Sequence, residues 1–185
     1  MNAPQLRRLG VDDLYLVGQI DRSEHVEIEY TVRRKQLVER PASMKQIPPW
    51  DPVGTGQYSV AAEIAFCDPL VRGGASFFGA FEGDALLGLA IVDPTFDASM
   101  AWLAFLHISR PYRRRGAATA LWNAAEEEAR AAGATSMYVS AVPTGSAVGF
   151  YLSRGCELAE SVHPDLYAME PDDVHLVCPL SRSVD

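Results

Sequence analysis

No apolar stretch in this chain is long. The cleanest run, ALLGLAIV at residues 85 to 92, falls far short of the roughly 18 residues a membrane-spanning helix requires. The N-terminal MNAPQLRRLGVDDL has no apolar h-region, so no secretory signal is expected, and a cytoplasmic location is. Cysteine is scarce. Cys67, Cys156 and Cys178 are odd in number and form no C-x-x-C pair, which excludes a zinc ribbon and predicts reduced core thiols with no metal. Positive charge is in deficit, with 16 Lys and Arg against 24 Asp and Glu for a net −8. A surface of that sign repels nucleic acid and favours a cationic small molecule or peptide. Two common phosphate loops are also missing: there is no G-x-x-x-x-G-K-S/T and no G-x-G-x-x-G with an acid about 20 positions on.

What is present fits one well-buried core. The chain has 185 residues, 48% apolar and 22% charged, and a single domain spanning 1–185 is expected. PQLRRLG reads as a first strand and VDDLYLVGQI as a helix starting near Asp12 or Asp13. In SEHVEIEYTV, Val26, Ile28, Tyr30 and Val32 alternate with His25, Glu27, Glu29 and Thr31, predicting a strand with one buried and one wet face. PASMKQIPPWDPVGTG reads as a loop, and QYSVAAEIAFCDPLV as a helix ending around Asp68-Pro69. GASFFGAFEGDALLGLAIVD is a hairpin turning at Glu82-Gly83-Asp84, and SMAWLAFLHIS a nearly all-apolar central strand. A helix from about Arg114 to Ala132, the strand TSMYVSAV, the short helix TGSAVGFYLSRG and the strand VHLVCPL complete the order. Helix-flanked strands of this kind make one α/β or α+β sheet.

The run RPYRRRGAA places four arginines in six positions between a strand and a helix. Unpaired amides and the dipole make a helix start an anion site. Gly116 lets backbone approach a ligand, Ala117 and Ala118 are nearly as small, and Arg113, Arg114 and Arg115 add charge. The combination suits a pyrophosphate; a solvated arginine surface is the alternative.

RRRGAA fits Q/R-x-x-G-x-G/A through Arg113, Gly116 and Ala118, and so resembles the acetyl-CoA loop of the GNAT superfamily of N-acetyltransferases. TGSAVGFYLSRGC resembles that family's second signature, N-x-x-A-x-x-x-Y-x-x-x-G-F: Ala147, Tyr151 and Gly155 match, Thr144 stands for the usual Asn, and Cys156 for Phe. The likeness covers roughly residues 75 to 180. It implies a mixed, mostly antiparallel central sheet flanked by helices and splayed between the fourth and fifth core strands.

The resemblance further implies that acetyl-CoA is co-substrate, without a metal. Its pantetheine arm would lie along Leu106, His107 and Ile108, and its pyrophosphate on the amides of Arg114 through Thr119, with Arg113 and Thr144 completing the site. Fixed donors in a dry cleft would stabilise a developing oxyanion. Tyr151 is the matching position for the general acid, against a reading as a core tyrosine. The acceptor would be a primary amine of a small molecule or peptide. At pH 7 an amine of pKa about 10.4 is neutral about once in 2,500 molecules, a cost of about 4.6 kcal/mol, so a base is needed. No Asp or Glu lies between Met100 and Ser109. Glu27 and Glu29 are the candidates, against a plain wet strand face, and His107 is more readily a packed residue. ELAESVHPDLYAMEPDD carries six acids and no Lys or Arg; it forms either one wall of a cationic acceptor's cleft or a solvated loop. Trp50 either caps the acceptor or anchors a loop. A non-catalytic acyl-CoA sensor is the alternative function, and a homodimer stays open.

Overall fold

The apolar middle of the chain becomes a sheet buried on both faces. The computed structural model describes residues 3–43 and 45–180. Strand β1 (Gln5–Leu9) is followed by a 3-10 helix, Val11–Gln19, whose Asp13 carboxylate accepts the Gly10 N–H at 2.9 Å. Next come β2 (Glu24–His25), β3 (Ile28–Arg33), β4 (Gln36–Pro41), β5 (Gln46–Ile47) and helix α1 (Val60–Arg72). Strands β6 (Ser76–Glu82), β7 (Ala85–Asp97) and β8 (Met100–Ile108) precede α2 (Ala117–Ala131), β9 (Ser136–Ala141) and α3 (Gly145–Leu152). Then β10 (Glu157–Leu158), α4 (Pro164–Met169) and β11 (Val174–Pro179) close the fold. The main sheet has seven strands in the order β1-β6-β7-β8-β9-β11-β10. Every pairing in it is antiparallel except β8 with β9.

Alternation along the central strands explains their hydrophobic continuity. Ala90 and Val92 face one core, with Leu121, Trp122, Ala125 and Ala129 of α2, whose spacing of three and four gives one apolar stripe. Leu89 and Ile91 face the other core, with Leu14 and Val17 of the 3-10 helix and Cys67 of α1. A strand sandwiched this way has no wet face to carry polar residues.

One pairing sets the geometry of everything that follows. The parallel register of β8 on β9 runs from Met100↔Ser136 only to Leu103↔Val139. On its other side β8 stays with β7, through Gly88↔Ile108, but the register slips between Ile91↔Phe105 and Val92↔Leu103, leaving Ala104 as an extra residue. A bulge bends its strand. The rest of β8 therefore leaves β9, and the expected splay is present.

Several expectations are corrected. The strand expected over residues 23 to 32 is broken at Val26-Glu27, and β3 pairs only with β4. Ile28 and Val32 are exposed, because this hairpin forms its own two-stranded sheet beside the main one. Its turn, Arg34-Lys35, has both residues at positive φ, 50° and 61°. The Pro-rich loop contains β5, and its Met44 lies outside the described residues. Helix α1 continues through Pro69 to Arg72. An interior proline costs about 3 kcal/mol, offset here by Leu70 and Val71 packing on the core and by the Arg72–Asp68 ion pair at 2.8 Å. Finally, Cys156 and Cys178 are not free thiols but a disulfide, with Cα atoms 4.0 Å apart. Only folding brings these two together across a separation of 22 residues. Cys67 is free, and burial pushes its thiol up to about 12. Among the described residues no helix is long and apolar enough to cross a membrane.

Candidate active site

The splay opens a cleft of about 890 Å³. Along β8, Ser109 N–H donates to Leu87 O of the neighbouring strand at 2.9 Å. Since alternate residues turn their N–H and C=O to opposite edges, Leu106 and Ile108 present theirs to the cleft and His107 turns its own toward β7. The His107 ring packs between Phe105, at 4.6 Å, and Trp50, at 5.0 Å. Burial, reinforced by Arg22 and Arg113, drives it down to about 3, so it is a neutral imidazole at any working pH. Trp50 is 4% exposed and anchors its loop against this ring pair rather than lining the cleft.

Beyond β8 the chain turns through Arg110–Tyr112 and reaches α2 by way of Arg114 at φ 63° and Gly116 at φ 85°. The first backbone bond of α2 is Ala120 N–H to Gly116 O, at 3.0 Å. The amides of Ala117, Ala118 and Thr119 therefore have no acceptor within the helix, and all three residues line the cleft. An anion that accepts three converging amides fits here, and the small residues leave them bare.

The arginines divide. Arg113 and Arg114 both line the cleft. The Arg113 guanidinium also donates to Arg22 O at 3.0 Å, to Ile108 O at 3.2 Å and to Glu24 at 3.4 Å, riveting the loop to the segment before β3. Arg115 lies over the Tyr112 ring at 5.6 Å, outside the cleft lining. Arg154, which the sequence reading passed over, donates to Thr119 Oγ1 at 2.5 Å while stacked on Phe150.

Helix α3 forms the facing wall. Thr144 is its N-cap, accepting Ala147 N–H at 3.2 Å, and Ser146 donates to Glu24 at 2.6 Å. Tyr151 sits in the last turn, 7% exposed, with Trp122 at 5.8 Å and Phe150 at 5.3 Å. Burial raises its phenol, and the charges of Asp173 and Glu170 raise it further, so it stays protonated. No described residue hydrogen-bonds its hydroxyl.

The cleft also carries acidic side chains: Glu24, Glu27, Glu170 and Asp173 all line it. Glu29 does not: its carboxylate accepts Arg40 at 2.7 Å and Ser43 N–H at 2.9 Å, within the hairpin. Of the two carboxylates expected from the sequence, Glu27 lies in the cleft and Glu29 outside it, while Glu24 and Arg22 of the lining were not among the candidates. Glu170 and Asp173 were visible only as part of an acidic run. Among the described residues no group of three or more His, Cys, Asp and Glu is placed to hold a metal ion.

Comparison with known proteins gives a consistent picture. The family model described as Acetyltransferase (GNAT) family matches residues 42–156. No curated protein matches the sequence. Among solved structures, nourseothricin acetyltransferase superposes with a TM-score of 0.72 at 17% identity, covering 97% of this chain and 100% of that one. A Bacillus anthracis protein assigned as a streptothricin acetyltransferase, solved with acetyl coenzyme A, gives 0.69 at 13% identity, covering 95% and 96%. PaiA N-acetyltransferase of Thermoplasma acidophilum, solved with coenzyme A, gives 0.61 at 15% identity, covering 96% and 99%.

Proposed function

The chain belongs to the acetyltransferase (GNAT) family, and on that premise we propose that it transfers the acetyl group of acetyl-CoA to a primary amine of a small molecule or peptide, with Tyr151 as general acid. The observation that carries this reading is the continuity of one cleft, from the free edge of β8, across the bare amides of α2, to the Tyr151 wall.

Acetyl-CoA supplies the thioester. The residues of the cleft suit it: the amides of Ala117, Ala118 and Thr119 with Arg114 would hold the diphosphate, and the N–H groups of Leu106 and Ile108 would face the pantetheine arm. Arg113 holds that loop in place. Tyr151 would give its phenolic proton to the departing sulfur. A phenol raised by burial is a weaker acid, but a thiolate expelled into the same dry cleft is a correspondingly stronger base, so the match survives. The acidic side chains of the cleft lining suit an acceptor that arrives as an ammonium.

Incubation with acetyl-CoA and a panel of putrescine, lysine amide, streptothricin and a peptide with a free N-terminus, following thiol release, tests the reading. Tyr151→Phe is expected to keep acetyl-CoA binding and lose turnover by about 10²-fold or more; an unchanged rate removes Tyr151 from the mechanism. The acyl-CoA sensor, motivated by the missing carboxylate on β8, predicts calorimetric binding without thiol release from any amine.

A further inference from the structure

Resting on the acetyl-transfer reading above, we propose that Asp173 is the base that takes the acceptor's proton, and that the acceptor is accordingly a strongly basic primary amine. The other cleft carboxylates and the imidazole are engaged, exposed or unable to hold a proton. Glu24 already accepts Ser146 at 2.6 Å and Arg113 at 3.4 Å. Glu29 is held by Arg40 and Ser43 off the cleft. Glu27 and Glu170 are the exposed carboxylates of the lining, and His107, driven down to about 3, cannot hold a proton. Asp173 is half-buried in the cleft lining, in the same pocket as Tyr151.

Its position is fixed from both sides. Asp173 N–H donates to Glu170 O at 3.2 Å, and Val174, which opens β11, is buried. His175 anchors the loop: its Nε2 lies 3.1 Å from Glu170 O and its Nδ1 3.4 Å from Ser140 Oγ on β9. The titratable groups around Asp173 are Tyr151 on α3, Glu170 and Asp172 in its own loop, and His175 on β11. Arg22, Arg113, Arg114, Glu24 and Glu27 close the same cleft. Burial, with Glu170 and Asp172 adding negative charge, pushes the Asp173 carboxyl up to about 7. A carboxylate of that basicity is about a thousandfold better acceptor for an ammonium proton than an ordinary one.

The step balances. The ammonium gives one proton to Asp173. The freed nitrogen bonds to the acetyl carbon while the carbon–sulfur bond breaks, and the sulfur leaves with the Tyr151 phenolic proton. The nitrogen's second surplus proton returns to the Tyr151 oxygen, and Asp173 releases its own to water.

The test uses the full chain as Asp173→Asn and Asp173→Glu, with the fastest basic amine of the panel and with methoxyamine, which is already neutral at pH 7. D173N is expected to bind CoA calorimetrically and to melt as wild type does. It should lose about 100-fold in kcat with the basic amine, lose far less with methoxyamine, and lose the wild-type rise in rate between pH 6 and 8, while D173E restores part of it. Carbon-13 carboxyl NMR of the ligand-free protein should show one resonance titrating near neutrality that D173N lacks. A D173N rate within about twofold of wild type, or an equal deficit with both amines, overturns the assignment. Wild-type protein that binds CoA yet releases thiol with no amine instead overturns the transfer reading itself, and the base with it.

Discussion

Two glycines at opposite ends of α2 provide an internally controlled test of the diphosphate cradle. Gly116 sits at φ 85° just before the helix and Gly133 at φ 89° just after it, where Gly133 N–H donates to Arg130 O and Ala134 N–H to Ala129 O, both at 2.9 Å. An added Cβ at either position meets no atom within 4 Å, so neither alanine variant suffers a clash within the protein. Each pays only the strain of an L-residue in the left-handed region, about 1–2 kcal/mol. At roughly 2–4 °C per kcal/mol for a chain of this size, both Gly116→Ala and Gly133→Ala should melt about 2–8 °C lower. They differ in where the new methyl stands. Gly116 lines the cleft beside the bare amides and Gly133 does not. Calorimetry should therefore find acetyl-CoA affinity reduced at least about tenfold, or about 1.4 kcal/mol, in G116A and unchanged in G133A. Equal affinity in the two variants would refute the cradle, since their folding penalties are matched.

Two further outcomes are expected. His107 is held neutral with its folded value near 3 against an unfolded value near 6.5, so the unfolded chain binds the extra proton and stability falls as pH drops from about 6.5 toward 3. The slope contributed is at most about 1.4 kcal/mol per pH unit; urea unfolding should show it in wild type and not in His107→Gln, and identical pH profiles would contradict the burial of this ring. The disulfide closes a 22-residue separation, which on the chain-entropy account stabilises by about 3 kcal/mol. Cys156→Ser or a reductant should lower the melting temperature while Cys67→Ser responds to reductant as wild type does, and three free thiols in the unreduced, denatured protein would show that the bridge does not form.

The stretch from Phe77 to Ala118 was readable in advance because its physics is local. A sandwiched strand must be apolar, a turn at Gly83 must follow, and a helix that greets an anion must begin with small residues. The failures have the opposite character. Whether Ile28 and Val32 are covered depends on where their hairpin sits, and it forms its own small sheet beside the main one. Pro69 signals a stop that Leu70 and Val71 override through contacts with the core. Arg113 matches a ligand-binding pattern in type and spacing, yet only three-dimensional proximity to Arg22 and Glu24 shows that its side chain is a rivet. The Cys156–Cys178 pairing is invisible for the same reason. Thr144 illustrates a middle case: its departure from the usual Asn keeps the capping oxygen, so α3 starts where expected.

The hairpin β3–β4 pairs with no strand of the seven-stranded sheet. It touches the rest through α3 and β11, with Tyr30 N–H donating to Pro143 O at 2.9 Å just before α3 and with Tyr30 and Leu37 packed on the core. With the loop carrying Glu170 and Asp173, it borders the cleft through Ile28, while β8 and the start of α2 supply other parts of the lining. The molecule is thus a fixed socket with a partly exchangeable rim. Exposed hairpin positions such as Val32 and Val38 can be exchanged or recharged without disturbing the apolar layers, whereas Tyr30 and Leu37 pack on the core and tie the hairpin to it.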